Sequence, residues 1–151
     1  MHVNRAEVIL HVGPGTFKPV TAPSLAEHVM HEEAFTVPAR SIAALRARCN
    51  SDAPARVVAV GTTTVRALES LPDLDSVADQ PIEGRTRLLI APGYEFKVVD
   101  AMLTNFHLPR STLLALVAAL VGRDHWRTIY EEAVHERYRF YSYGDAMLIL
   151  P

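Results

Sequence analysis

The stretch Arg56-Val-Val-Ala-Val60-Gly61-Thr62-Thr63-Thr64-Val65-Arg66 constrains this chain more than any other. Its short apolar, β-branched run predicts a buried strand, and a glycine turns that strand straight into a helix N-terminus. A strand feeding directly into a helix is the building unit of α/β folds. Helix N-termini also present unpaired N–H groups and the positive end of the helix dipole, so such a turn attracts anions. One segment therefore bears on both the fold class and the chemistry.

The remaining chain continues the alternation. Ala6 to Val12 predicts a strand, broken by Gly13-Pro14-Gly15-Thr16. Val29, His31, Glu33, Phe35 and Val37 share one face of an alternating segment that Pro38 ends. Ser41 predicts a helix cap, with the helix running to about Cys49. A Thr-capped helix is expected from Thr63 to Leu71, then an exposed polar loop from Pro72 to Arg85. Arg87 to Ala91 and Lys97 to Leu103 predict strands around the Pro92-Gly93-Tyr94 turn.

Pro109 and Ser111 open a helix that Gly122 closes, and its uniformly apolar middle predicts burial on most sides. Asp124 opens a last helix whose stripe is Trp126, Ile129, Tyr130, Ala133, Val134 and Tyr138. Ala146 to Leu150 predicts a final strand. The expectation is an α/β fold, a mixed sheet with flanking helices, in a single domain over residues 1–151.

Several function classes are disfavoured. The 151 residues carry a net charge of −2, so a nucleic-acid partner would need a local basic patch. Arg110, Arg123, Arg127, Arg137 and Arg139 offer one, although a solvated helical face reads the same way. Cys49 is the only cysteine and cannot form an internal disulfide. No apolar signal segment opens the chain, and the longest apolar run, Leu113 to Val121, is far short of the roughly 20 residues a membrane span needs. A cytoplasmic protein without a membrane partner is expected. His28 and His31 would point to opposite faces of a strand, so no metal site is expected.

Four stretches could carry chemistry. Thr62, Thr63 and Thr64 with Arg66 could hold a phosphate or a carboxylate; equally, they could form a plain N-cap with Arg66 paired to Glu69 or Ser70. The P-loop ending is missing. Gly13 and Gly15, with Thr16, could let a ligand approach the backbone or could simply make a turn. Asp100 to Ser111 runs from a strand into a polar stretch holding Asn105, His107 and Arg110. His107 there could transfer protons near neutral pH or be a satisfied structural histidine. Tyr138 to Asp145 interleaves aromatics with Arg139, a pattern that stacks bases or anchors a helix; Tyr143 and Asp145 fit the anchoring role least.

Six segments, in one collinear order, resemble the S-adenosylmethionine:tRNA ribosyltransferase-isomerases. They are His11-Val-Gly-Pro-Gly-Thr-Phe17, His28-Val-Met-His31-Glu32, Val60-Gly-Thr-Thr-Thr-Val-Arg-Ala-Leu-Glu-Ser70, Pro92-Gly-Tyr-Glu-Phe-Lys97, Thr104-Asn-Phe-His-Leu-Pro-Arg-Ser-Thr-Leu113 and Tyr138-Arg-Phe-Tyr-Ser-Tyr-Gly-Asp-Ala-Met147. Pro14, Thr64 and the stretch Pro72 to Arg85 depart from the family pattern. The resemblance is to the C-terminal portion of much longer proteins, and it implies part of a barrel-like α/β domain.

The resemblance also implies a chemistry. S-adenosylmethionine serves as a ribosyl-donating substrate, with no separate cofactor. The acceptor is 7-aminomethyl-7-deazaguanine in tRNA, adenine and methionine leave, and the product is epoxyqueuosine-tRNA. The sulfonium acidifies the adjacent ribose carbon, so a base and an acid are required. On this reading His107 transfers protons, with Asp100 or Asp145 next in line. Thr62, Thr63, Thr64 and Arg66 bind an anionic group. Gly13, Gly15 and Thr16 admit substrate, and Asn105, Arg110 and Tyr143 orient the nucleoside. The partners implied are tRNA, S-adenosylmethionine and an N-terminal half of the same enzyme. The alternatives are a non-catalytic nucleotide- or RNA-binding module and an inactive fragment.

Overall fold

The computed structural model describes residues 3–13, 19–49, 55–122 and 124–151. Its strands divide between two three-stranded sheets. In the first sheet, β2 (Glu33–Val37) lies between β1 (Ile9–His11) and β4 (Ile82–Thr86), antiparallel to both. The second is mixed. Its centre, β5 (Ala101–Asn105), runs parallel to β3 (Val58–Val60) and antiparallel to β6 (Ala146–Ile149). The helices are α1 (Ala39–Cys49), α2 (Thr62–Glu69), α3 (Thr112–Val121) and α4 (His125–His135). The α/β class and the mixed sheet are as the sequence predicts.

Local chemistry sets most boundaries. Ser111 caps α3 by accepting from the Leu114 N–H at 3.1 Å, and Gly122 closes it at φ 90°. No α3 side chain is fully exposed, as the apolar composition requires. α1 starts two residues before Ser41, whose hydroxyl instead exchanges hydrogen bonds with the Glu7 backbone, donating at 2.8 Å and accepting at 3.1 Å. The threonines do not cap α2. Gly61 holds the N-cap position at φ 90°, ψ 146°, and Thr64 Oγ1 donates back to the Val60 carbonyl at 2.7 Å.

Three other expectations are corrected. The polar stretch from Pro72 to Arg85 is not all loop: it holds a short 3-10 turn, Leu74–Ser76, and most of β4. Gly84 sits in that strand because Phe35, its cross-strand neighbour, lies over it; a Cβ there would be 2.7 Å from the ring. Arg87 to Ala91 joins no sheet, and β5 begins only at Ala101. The α4 stripe turns inward at Trp126, Ile129, Tyr130 and Ala133, whereas Val134 faces solvent and Tyr138, past the helix end, is half-exposed.

The larger core gathers under sheet two. Ala59, Met102, Met147 and Ile149 meet Val65 and Leu68 of α2, Leu116 and Val117 of α3, and Tyr130 and Ala133 of α4. Each large apolar side chain buried there contributes about 1.5–3 kcal/mol. A smaller core joins Phe35, Val37, Ile42 and Ala67. Two buried charges on α2 tie the layers together. Arg66 pairs with Glu33 of β2 at 2.6 Å and donates Nε–H to the Leu88 carbonyl at 2.9 Å. Glu69 accepts from the Lys97, Val98 and Val99 N–H groups at 2.8, 3.0 and 2.8 Å and from the Tyr94 hydroxyl at 3.2 Å.

Candidate active site

The parallel pairing of β3 with β5 brings their C-terminal ends to one edge of sheet two, where antiparallel β6 begins. The Gly61 N–H donates to the Leu103 carbonyl at 2.8 Å, which locks the Gly-Thr-Thr-Thr turn to the end of β5. Thr62 is buried there, while Thr63 and Thr64 are half-buried. Ligands of open α/β sheets bind beyond the carboxyl ends of strands, where loops and helix N-termini meet.

Past β5 the chain turns through Asn105, Phe106 and His107. His107 is buried, its Nε2 lies 2.9 Å from Thr104 Oγ1, and its backbone N–H donates to the Tyr130 hydroxyl at 3.0 Å. Burial depresses its pKa to about 4, so the imidazole is neutral at pH 7. Burial also pushes the Tyr130 phenol up to about 12. Phe106 fixes the turn from below, its ring 6.0 Å from Tyr130, 5.2 Å from Tyr138 and 5.6 Å from Phe140. His107 lines a cleft of about 100 Å³ with Asn105, Ser111, Tyr141, Ser142 and Pro19.

The segment before β6 closes the other side. The Tyr141 N–H donates to the Phe106 carbonyl at 2.8 Å, and Asn105 Nδ2 donates to the Asp145 carbonyl at 3.3 Å. The Asp145 carboxylate accepts from Arg139 N–H at 2.6 Å, Nε at 3.2 Å and a terminal guanidinium nitrogen at 2.9 Å. Those bonds hold it below the usual carboxylate range. Tyr143 is exposed beside it. Arg110 is also exposed, in a left-handed conformation at φ 56°, and its carbonyl accepts from the Val20 N–H at 2.8 Å. It borders a wider cleft of about 800 Å³ walled by Pro19, Pro92, Leu114 and Trp126.

Asn105, His107, Tyr143 and Asp145 thus gather at one end of sheet two, with the Thr62 to Thr64 turn on the adjoining strand. Two other candidates lie elsewhere. Asp100 sits at the opposite end of β5, where Arg48 grips both of its oxygens at 2.8 and 2.6 Å and the Val57 N–H donates to it at 2.7 Å. Arg66 points away from the turn into the core, where Glu33 and not Glu69 or Ser70 is its ionic partner; Ser70 instead donates to the Arg66 carbonyl at 2.7 Å. Gly13 is described and has open space where a Cβ would stand. Gly15 and Thr16 lie outside the described residues.

Sequence reasoning overlooked Thr104 and Tyr130, which hold His107, and Tyr141 and Ser142, which wall its cleft. The three-residue step from Thr104 to His107 across a strand end was the available signal. Among the described residues, Glu132, His135 and Glu136 on the exposed side of α4 are the only acidic and histidine group close enough to share an ion.

Comparison with known proteins places this geometry in a lineage. The family described as Queuosine biosynthesis protein matches residues 1–149. A Nostoc sp. protein named S-adenosylmethionine:tRNA ribosyltransferase-isomerase is 51% identical over 150 residues, covering 99% of this chain and 37% of the relative. The Thermotoga maritima protein of the same name is 53% identical over 148 residues, covering 98% and 43%. The crystal structure of the S-adenosylmethionine tRNA ribosyltransferase from Thermotoga maritima matches with a TM-score of 0.73 and 48% identity, over 96% of this chain and 44% of that one. The chain spans about two-fifths of the length of these relatives. It belongs to the queuosine biosynthesis protein family.

Proposed function

We propose that this chain is part of an enzyme that transfers and isomerises the ribosyl moiety of S-adenosylmethionine onto 7-aminomethyl-7-deazaguanine in tRNA, giving epoxyqueuosine-tRNA. It works together with the remaining portion that its relatives possess. The observation that carries this reading is the identity of about half of all residues, over nearly the whole chain, to relatives bearing that name. The partners are tRNA, S-adenosylmethionine as substrate rather than cofactor, and that remaining portion. The compartment is the cytoplasm; among the described residues no helix is long and apolar enough to cross a membrane.

In this reading His107 moves a proton. A neutral imidazole can accept one from the carbon that the sulfonium acidifies. With Nε2 engaged by Thr104, Nδ1 is the atom we assign to substrate. The N–H groups of the Thr62 to Thr64 turn receive an anionic group, the methionine carboxylate or a tRNA phosphate. Asn105, Arg110 and Tyr143 orient the nucleoside. Asp100, Asp145 and Arg66 are assigned to positioning, since each already has an ionic partner.

The test is release of adenine from S-adenosylmethionine in the presence of tRNA carrying the aminomethyl-deazaguanine. The chain is assayed alone and together with the part of the Thermotoga maritima relative outside the match. Adenine is expected only from the combination. There, His107→Ala should lower turnover by about 100-fold or more with little change in tRNA affinity, the usual range for a lost proton-transfer group. Unchanged turnover removes His107 from the mechanism, and no adenine under either condition refutes the catalytic reading.

A further inference from the structure

Among the described residues, sheet two is covered on one face, while most of the other, apart from the fully buried Ala101, is open. Ala59, Met102, Met147 and Ile149 point into the core beneath α2, α3 and α4. The alternate positions point the other way, and the register sets them in rows. Val60, Leu103 and Leu148 are direct neighbours across all three strands, and Val58 stands beside Ala101. Leu150 follows β6 on the same face as Leu148. Val58 is 46% exposed, Val60 66%, Leu103 37%, Leu148 56% and Leu150 57%. Asn105 and Ala146, the next row, carry no charge either.

Isolated exposed apolar side chains are ordinary, but a contiguous set across three hydrogen-bonded strands forms the inner surface of a layer. The parallel pairing of β3 with β5 agrees with this, because parallel strands are typically buried on both faces. Their sequences agree: Val58-Ala-Val60 and Ala101-Met-Leu103 are apolar at successive positions, the pattern of strands buried on both faces.

A large occupant is available. The relatives carry more than half their length outside the match to this chain. We infer that the bare face formed by Val58, Val60, Leu103, Leu148 and Leu150 is the seat of that remaining portion, which packs on it as a second apolar layer. The third row then gains a consequence. Asn105 lies on the same face, next to the cleft of His107, so the docked portion also walls the candidate site. This rests on the reading that the chain acts with the remaining portion, and it specifies where the two meet.

The experiment co-produces this chain with the part of the Thermotoga maritima relative outside the match. Complex mass is read by sedimentation, and side-chain reactivity by oxidative footprinting, both without substrate. A one-to-one complex is expected, with Leu103 and Leu148 protected relative to the chain alone. Leu148→Glu and Leu103→Glu should each weaken the complex by about 100-fold or more, since each buries an unpaired charge. Val134→Glu, on the exposed side of α4, should leave it unchanged within about twofold.

Footprinting of the unsubstituted chain decides the matter even where a glutamate variant fails to fold. Three outcomes overturn the inference: Leu103 and Leu148 as reactive in the mixture as alone; a complex indifferent to both glutamates; or protection that appears without the added portion and rises with chain concentration, which assigns the face to a second copy. A complex with the expected footprint but no adenine release would refute the catalytic reading while leaving this interface standing.

Discussion

Arg66 and Glu33 form an ion pair at 2.6 Å with side chains only 3% and 2% exposed, joining α2 to the middle strand of the antiparallel sheet. Burial pushes the guanidinium pKa down, and Glu33 pulls it partly back. The expected outcome of Glu33→Ala is a loss of about 3–5 kcal/mol, because it leaves the Arg66 guanidinium buried without its carboxylate, and Arg66→Ala should also destabilise the fold by removing the pair. Replacing both residues by apolar side chains of similar volume should recover most of that loss. Urea unfolding of the two single variants and the double variant checks this; additive losses would sink the idea of a coupled pair.

His107 gives stability a pH dependence. Its folded pKa of about 4 lies below the ordinary histidine value of 6.5, so the unfolded chain binds its proton first as pH falls. The contribution is full above pH 6.5 and is lost on descending to about 4, amounting to roughly 3 kcal/mol. His107→Gln should flatten this part of the curve. Equal slopes for both proteins between pH 7 and 4 would show that other groups cause the loss.

Glu69 satisfies three consecutive backbone N–H groups, at Lys97, Val98 and Val99. Glu69→Ala orphans them, at about 1–3 kcal/mol for each buried group left unpaired. Amide hydrogen exchange at these three positions should accelerate more than at Leu116 in α3. The Tyr94 hydroxyl, held up to about 12 first by burial and then by Glu69, should titrate lower in the variant.

Two glycines should fail for different reasons. Gly61→Ala places a side chain at φ 90°, where the strain costs about 1–3 kcal/mol although the new Cβ meets only Thr64 Oγ1, at an ordinary contact of 3.9 Å. Gly84→Ala meets the Phe35 ring at 2.7 Å, an overpacking cost of about 1–3 kcal/mol. Adding Phe35→Leu should rescue Gly84→Ala but not Gly61→Ala. Thermal melts of the four proteins separate the two causes.

Local pattern made the helices and the site stretches legible. Ser111 and Gly122 bracket α3 in sequence as in space, and the Asn105 to His107 turn follows its strand as read. What stayed hidden was long-range. Nothing near Arg66 announces Glu33, whose side chain looks like one more polar position on an alternating strand. β4 escaped notice because Gly84 interrupts its inward face and charged Glu83 and Arg85 occupy the outward one. Arg87 to Ala91 looked like a strand since Leu88 and Ile90 are apolar, yet they serve the core without a neighbouring strand. Asp100 looked like part of a catalytic stretch because its partner, Arg48, lies on a different element.

The sheet registers carry a kinetic consequence. Ile9 meets Thr36, Glu33 meets Thr86, Val58 meets Ala101 and Asn105 meets Ala146, so no ladder among the described strands is a hairpin. Every strand must wait for a long loop to close before its first partner arrives, whereas α1 to α4 can form from neighbouring residues alone. Refolding should therefore proceed with helices flickering early and both sheets condensing late, on the millisecond-to-second scale of topologies dominated by distant contacts.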